Sequence, residues 1–155
     1  MTKDLNNDVH QHSPEFNSKS KLALLHAEKL LECAIPLEVH YQLAMASVGD
    51  DILKISYLNE DGTETLTRDG KAFVRERLSE SERDRRWTIY KRDNHNAKRP
   101  GKYSSPSNNG CRLYHSPLLV RQDNYKDNLA DINKEIRFTE GEFKTISANL
   151  HDPKV

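Results

Sequence analysis

Residues 52–67, ILKISYLNEDGTETLT, decide the fold. Ile52–Leu58 is rich in β-branched, aromatic and aliphatic side chains over a strand's length. Asn59, Glu60, Asp61 and Gly62 then make a turn whose Asp-Gly pair tolerates positive φ. Thr63–Thr67 returns with three β-branched threonines as the expected partner strand. An antiparallel hairpin of this kind needs further strands or a covering helix to be stable, so the flanking segments are read for both.

Upstream, residues 37–48 carry two patterns at once. Leu37, Val39, Tyr41, Leu43 and Met45 alternate with polar or small residues as a strand does, whereas Leu37, Tyr41, Ala44, Met45 and Val48 fall on one helical stripe behind Pro36. The strand is favoured because the hairpin offers it a partner and Gly49-Asp50 supplies a turn. Before it, Leu22, Leu25, Ala27, Leu30, Leu31 and Ala34 recur at helical spacing, predicting a helix from a Ser18 or Ser20 cap to Ala34. His26 borders its apolar face and reads as a packed residue. Residues 1–17 are polar and aperiodic, and are expected to be a disordered arm.

Downstream, Asp69 or Thr67 caps an expected helix over Lys71–Arg85, whose end, SESERDRR, is almost wholly charged. Trp87–Arg92 alternates as a strand with Trp87 in the core, and residues 93–109 form a basic loop. A structureless connection of about 17 residues is long for one domain and is usually functional or disordered. Cys111–His115 and Leu118–Gln122 read as short strands divided by Pro117. Asn124–Phe138 reads as a helix burying Leu129, Ile132 and Ile136, and Glu142–Leu150 as a last strand before the tail 151–155. The expectation is one α+β domain over residues 18–150: an antiparallel sheet of about four to six strands with three helices mainly on one face.

Composition fits a modest core. Hydrophobic residues make up 35% of the 155 and charged residues 31%, against about 45–50% apolar in an average globular chain, and the mean hydropathy is −0.88. No run approaches the ~18 apolar residues of a membrane span and no secretory signal opens the chain, so a cytoplasmic location away from membranes is expected. Cys33, among apolar residues, reads as a small packed thiol, and a bond to Cys111 is disfavoured in a reducing compartment.

The net charge of zero conceals a segregation. Residues 82–115 hold nine Lys/Arg against three acids, a net of +6, while residues 1–81 carry −5 and 116–155 carry −1. Trp87, Tyr90, Tyr103 and Tyr114, four of the chain's eleven aromatic rings, lie among those bases. Clustered cations suit a phosphate backbone, and exposed rings stack on unpaired bases at about 1–3 kcal/mol each. The candidate nucleic-acid-binding residues are Arg85, Arg86, Tyr90, Arg92, Lys98, Arg99, Lys102 and Tyr103. The expected role is a small non-enzymatic accessory or regulatory protein contacting RNA or single-stranded DNA. The alternative is an inhibitor, immunity or adaptor module whose basic loop docks on an acidic protein. The acidic hairpin, with Glu60, Asp61 and Glu64, is a poor groove reader because phosphate repels it.

No catalytic residue, cofactor or metal is assigned. The chain lacks GxxxxGK[ST], GxGxxG, GxSxG and HExxH. His95, in a soft polar loop, lacks the rigid support that catalysis needs. LYHS at 113–116 and Glu140-Gly141-Glu142 are isolated fragments, without the surroundings that would make either a site.

Overall fold

Ile52–Ser56, β2, lies inside a four-stranded antiparallel sheet of order β1-β2-β3-β4 in the computed structural model, which describes residues 22–152. The other strands are β1, Met45–Val48, β3, Val74–Leu78, and the short edge strand β4, Tyr103–Ser104. Around them run α1 (Leu24–Glu32), a 3₁₀ helix (Leu37–Gln42), α2 (Glu80–Asp93), α3 (Pro117–Val120), α4 (Tyr125–Ala130) and α5 (Glu142–His151). The α+β class and the antiparallel sheet are those expected. The assigned arm 1–17 and the Ser18 and Ser20 caps lie outside the described residues, as does most of the 151–155 tail.

The partner of β2 differs from the expected one. β3 takes that place, with Ile52 opposite Leu78 and Ser56 opposite Val74. Thr63–Thr67 is instead wedged between the splayed ends of β2 and β3: Thr65 N–H donates to Tyr57 O (2.9 Å) and Phe73 N–H to Thr65 O (2.7 Å). Residues 58–72 therefore double back twice, through single bridges Leu58–Glu64 and Leu66–Ala72. The expected helix over Lys71–Arg85 is thus a strand followed by the start of α2. Phe73, Val74, Arg77 and Leu78 satisfy a helical stripe, but the open edge of β2 offers this segment a full ladder of hydrogen bonds.

Trp87–Arg92, expected as a strand, is the second half of α2. The helix begins behind Ser79, whose Oγ accepts the Glu82 N–H at 3.0 Å. Ser79-Glu80-Ser81-Glu82 has the S-x-x-E spacing of a capping box, a start signal that places the boundary within SESERDRR. Residues 37–48 honour both of their patterns in turn. Pro36 opens the 3₁₀ helix, Ala44 turns the chain with φ 54°, and β1 follows.

Beyond the loop, three further expectations are corrected. Cys111–Ser116 has no strand partner, and Leu118–Val120 lies in α3, where Pro117 occupies the first helical turn and Ser116 Oγ accepts the Leu118 N–H. The helix expected to reach Phe138 stops at Ala130. Asp131 Oδ1 there accepts the Asn133 N–H at 2.9 Å, a local bond that competes with the helical ladder. Ile132, expected in the core, is 96% exposed, and Ile136 and Phe138 are exposed as well. Glu142–Leu150, expected as a strand, is helix α5. Its polar alternation was weak, and Phe143 and Ile146, three apart, are both buried.

The core lies on one face of the sheet. Leu53, Ile55 and Tyr57 point the same way along β2 and cluster with Leu30 of α1, Phe73, and Phe143 and Ile146 of α5. Leu30, Leu53, Ile55 and Ile146 have no solvent exposure. His26 is 3% exposed, and its Nδ1 meets Ser47 Oγ at 2.7 Å, tying α1 to β1. Cys33 packs half-buried against the core, Cys111 is exposed, and both are free thiols.

Candidate functional site

Helix α2 departs from the sheet at Ser79, whose hydroxyl donates to Asp51 Oδ1 at 2.6 Å and fixes the exit. Glu82 is the one buried residue of the helix. It accepts bonds from Arg85 (2.7 and 2.8 Å) and from Arg86 Nε (2.9 Å), while Arg86 Nη2 also reaches Glu76 Oε2 of β3 at 2.9 Å. The two guanidinium groups hold the Glu82 carboxyl at about 2, far below its usual range. This cluster clamps the first turns of α2 onto β3. Past it, the helix carries Thr88, Tyr90, Lys91, Arg92 and Asp93 in solvent.

The chain then returns along the helix. Arg83 Nε donates to Pro100 O at 3.2 Å, and Arg99 bonds Asp84 Oδ1 at 2.5 Å with Glu80 3.7 Å away. The expected loop 93–109 is therefore strapped to α2 at Pro100 and Arg99 before Tyr103–Ser104 joins the sheet.

The eight candidate residues separate into two groups. Arg86 is mostly enclosed, its side chain 16% exposed between Glu76 and Glu82. Tyr103, expected in the loop, lies in β4 opposite Arg77, half-buried against the core with the Arg75 guanidinium 4.4 Å from its ring centroid. Arg85, Arg92 and Arg99 remain accessible but each meets a carboxylate of the same helix, namely Glu82, Asp93 and Asp84. Lys98 and Lys102, like Lys91 beside them, are exposed and enter no ion pair among the described residues. Tyr90 is 45% exposed in the same region. Trp87, expected in the core, is half-buried on α2 with Lys91 Nζ 5.9 Å from its ring centroid.

A second polar cluster escaped the sequence reading. Glu142, in the first turn of α5, is 1% exposed and accepts from Tyr57 Oη at 2.6 Å and Arg75 Nη1 at 2.9 Å. Burial, with the Glu142 carboxylate next in effect, pushes the Tyr57 phenol well above its ordinary value. The signal available beforehand was Glu142 directly before the apolar Phe143, an acid placed to enter the core with the helix. His95 is exposed, and the described residues bring no three His, Cys, Asp or Glu side chains together to hold a metal ion. No helix among the described residues is long and apolar enough to cross a membrane. Compared with known proteins, the chain matches no family model, no curated protein and no solved structure.

Proposed function

We propose that this chain is a small non-enzymatic accessory or regulatory protein that contacts RNA or single-stranded DNA through the outer half of α2 and the returning loop. One observation carries the reading: residues 80–102 hold eight Lys/Arg against four carboxylates, a net of +4, spread over α2, whose sole buried residue is Glu82, and the loop that follows it. A helix with so little apolar face is built for solvent or for a polar partner. Lys91, Arg92, Lys98 and Lys102 follow the phosphates, Tyr90 stacks on an unpaired base, and Arg86 fixes the helix to the sheet. Tyr103 acts from beneath, as part of the edge on which the loop rests.

The arginine–carboxylate pairs favour a second reading, a protein-docking module. Arg85, Arg92 and Arg99 each bring a negative neighbour, so the helix presents both signs, a pattern that suits a protein of complementary charge better than a uniform polyanion. Anisotropy of a labelled mixed-sequence single strand over a salt series separates the two. About four phosphate contacts give a slope of roughly −3 in log K against log salt. Lys91→Glu, Lys98→Glu and Lys102→Glu together should abolish the complex without touching an internal ion pair. Absence of binding at low salt overturns the first reading and leaves the second.

A further inference from the structure

Residues 135–139, Glu-Ile-Arg-Phe-Thr, lie in the connection from α4 to α5. They form neither helix, turn nor bend and none has a positive φ, so the backbone runs extended. All five are exposed, and their backbone N–H and C=O groups enter no hydrogen bond among the described residues. The segment has the open edges of a strand with no sheet beside it. Such edges are templates for pairing with another chain.

Alternate side chains hold this shape. Arg137 Nε donates to Glu135 Oε1 at 2.8 Å and the Arg137 guanidinium pairs with Asp152 beyond α5, while Thr139 Oγ1 meets Thr145 Oγ1 of α5 at 2.6 Å. Upstream, Asp131 Oδ1 closes a turn on the Asn133 N–H at 2.9 Å, and downstream Gly141, with φ 89°, leads the chain into α5. A strand already fixed in this way gives up little freedom when it pairs. Between the bonded residues, Ile136 and Phe138 are 44% and 77% exposed, and Ile132 of the same connection is 96% exposed. Large apolar side chains gathered in water mark an interaction surface.

We infer that residues 134–138 form the docking edge for a second copy of this chain, paired antiparallel about a two-fold axis through Ile136. The segment is complementary to itself in that register. Glu135 falls opposite Arg137 of the second copy and Arg137 opposite its Glu135, Ile136 meets Ile136, and Lys134 meets the Phe138 ring. Opposite charges, β-branched neighbours and a cation beside a ring are all favourable cross-strand pairs. Lys134 enters no ion pair among the described residues, so its ammonium group is available for the ring. An axis through Arg137 would set two arginines against each other, and an axis between the two residues would set Ile136 against Arg137. The charge pairs lie in water and select the register, whereas the new backbone bonds and the apolar contacts supply the affinity. One short strand buries far less than the roughly 1,600 Å² of a standard stable complex, so the dimer is weak and reversible. Pairing here uses no residue of α2 and is independent of the role proposed there.

Sedimentation velocity of the full chain from micromolar to millimolar concentration tests this. A reversible monomer–dimer equilibrium is expected. Glu135→Arg and Arg137→Glu, each alone, place like charges opposite one another and should weaken dimerisation more than tenfold. Mixed in equal amounts, the two variants again set opposite charges together and should associate as the natural chain does. Ile136→Lys, which breaks no internal bond, should also abolish the dimer and serves if either reversal fails to fold. The Lys91, Lys98 and Lys102 triple reversal should dimerise normally. A natural chain that stays monomeric at millimolar concentration overturns the proposal and leaves the edge to a strand of a different protein. A dimer that survives the reversals or Ile136→Lys, a mixture no more associated than its components, or a dimer lost in the triple lysine reversal overturns it equally.

Discussion

Glu142 shows how a single side chain holds distant segments together. It enters the interior at the start of α5 and meets Tyr57, at the end of β2, and Arg75 of β3, 85 and 67 residues away in sequence. A buried carboxylate is tolerated only when paired and hydrogen-bonded. Removing one member of such a pair strands the other. Glu142→Ala should therefore cost about 3 kcal/mol, at the lower end for a buried pair because Arg75 keeps part of its side chain in water. That corresponds to a fall of roughly 6–12 °C in unfolding temperature for a chain of this size. Glu142→Gln, which retains an acceptor for Tyr57, should lose less, and equal losses from the two variants in thermal denaturation contradict this account.

At the scale of elements, α2 depends on its first turn. Its outer half has no fully buried residue, Trp87 and Ile89 being only half-buried, so the helix is held chiefly by the Ser79 cap, by the Glu82 clamp and by the Arg83 and Arg99 straps. Ser79→Ala removes both the cap and the bond to Asp51, and caps of this type contribute about 0.5–2 kcal/mol. The expected outcome is a small loss of global stability with a larger loss of amide-exchange protection confined to α2. Protection falling equally across β2 and α2 would show that the helix is coupled to the core more tightly than its burial implies. This element also shows what the sequence signals contained. The S-x-x-E cap was present at Ser79 and marked the boundary between β3 and α2, but the charged run after it hides any apolar period. Trp87, Ile89 and Lys91 then fit an alternating pattern as readily as a helical one. The candidate cations were found as a cluster in the sequence. Their division into Arg86, enclosed by Glu76 and Glu82, and Lys98, exposed, depends on which strand lies beneath.

For the whole molecule, ionisation links folding to pH in two steps. Burial, followed by the nearby Arg77, lowers the pKa of His26, and burial lowers that of His115, each from 6.5. The unfolded chain then binds protons more readily than the folded one. The stability is whole above pH 6.5 and is lost as pH falls through the lowered folded values. A second loss begins below the ordinary Glu82 value of 4.5 and continues toward about 2, as the clamp under α2 is protonated. Unfolding temperature should thus fall between pH 7 and pH 5, and less so in His26→Asn, whose amide still reaches Ser47. A flat profile over that interval in the natural chain would contradict the buried setting of both histidines.

Some features follow from local chemistry alone. The apolar run 52–58, the Asn59–Gly62 turn and the amphipathic stripe of α1 each carry one dominant period, and the separation of charge is a matter of counting. They survive in the structure as strand, turn and helix, although of the α1 stripe only Leu30 is fully buried and Leu25 and Leu31 are exposed. Which segment lies beside β2 is different in kind. Both 63–67 and 74–78 are able to complete a ladder, and the choice falls to β3 because that register puts Phe73 into the core, buries Leu78 and leaves Thr65 to bridge the splayed ends. The same holds for α5 and for the arginine pairs of α2. A short segment with two admissible periods has nearly equal local energies in each, so the long-range burial and hydrogen bonding of the assembled chain select between them.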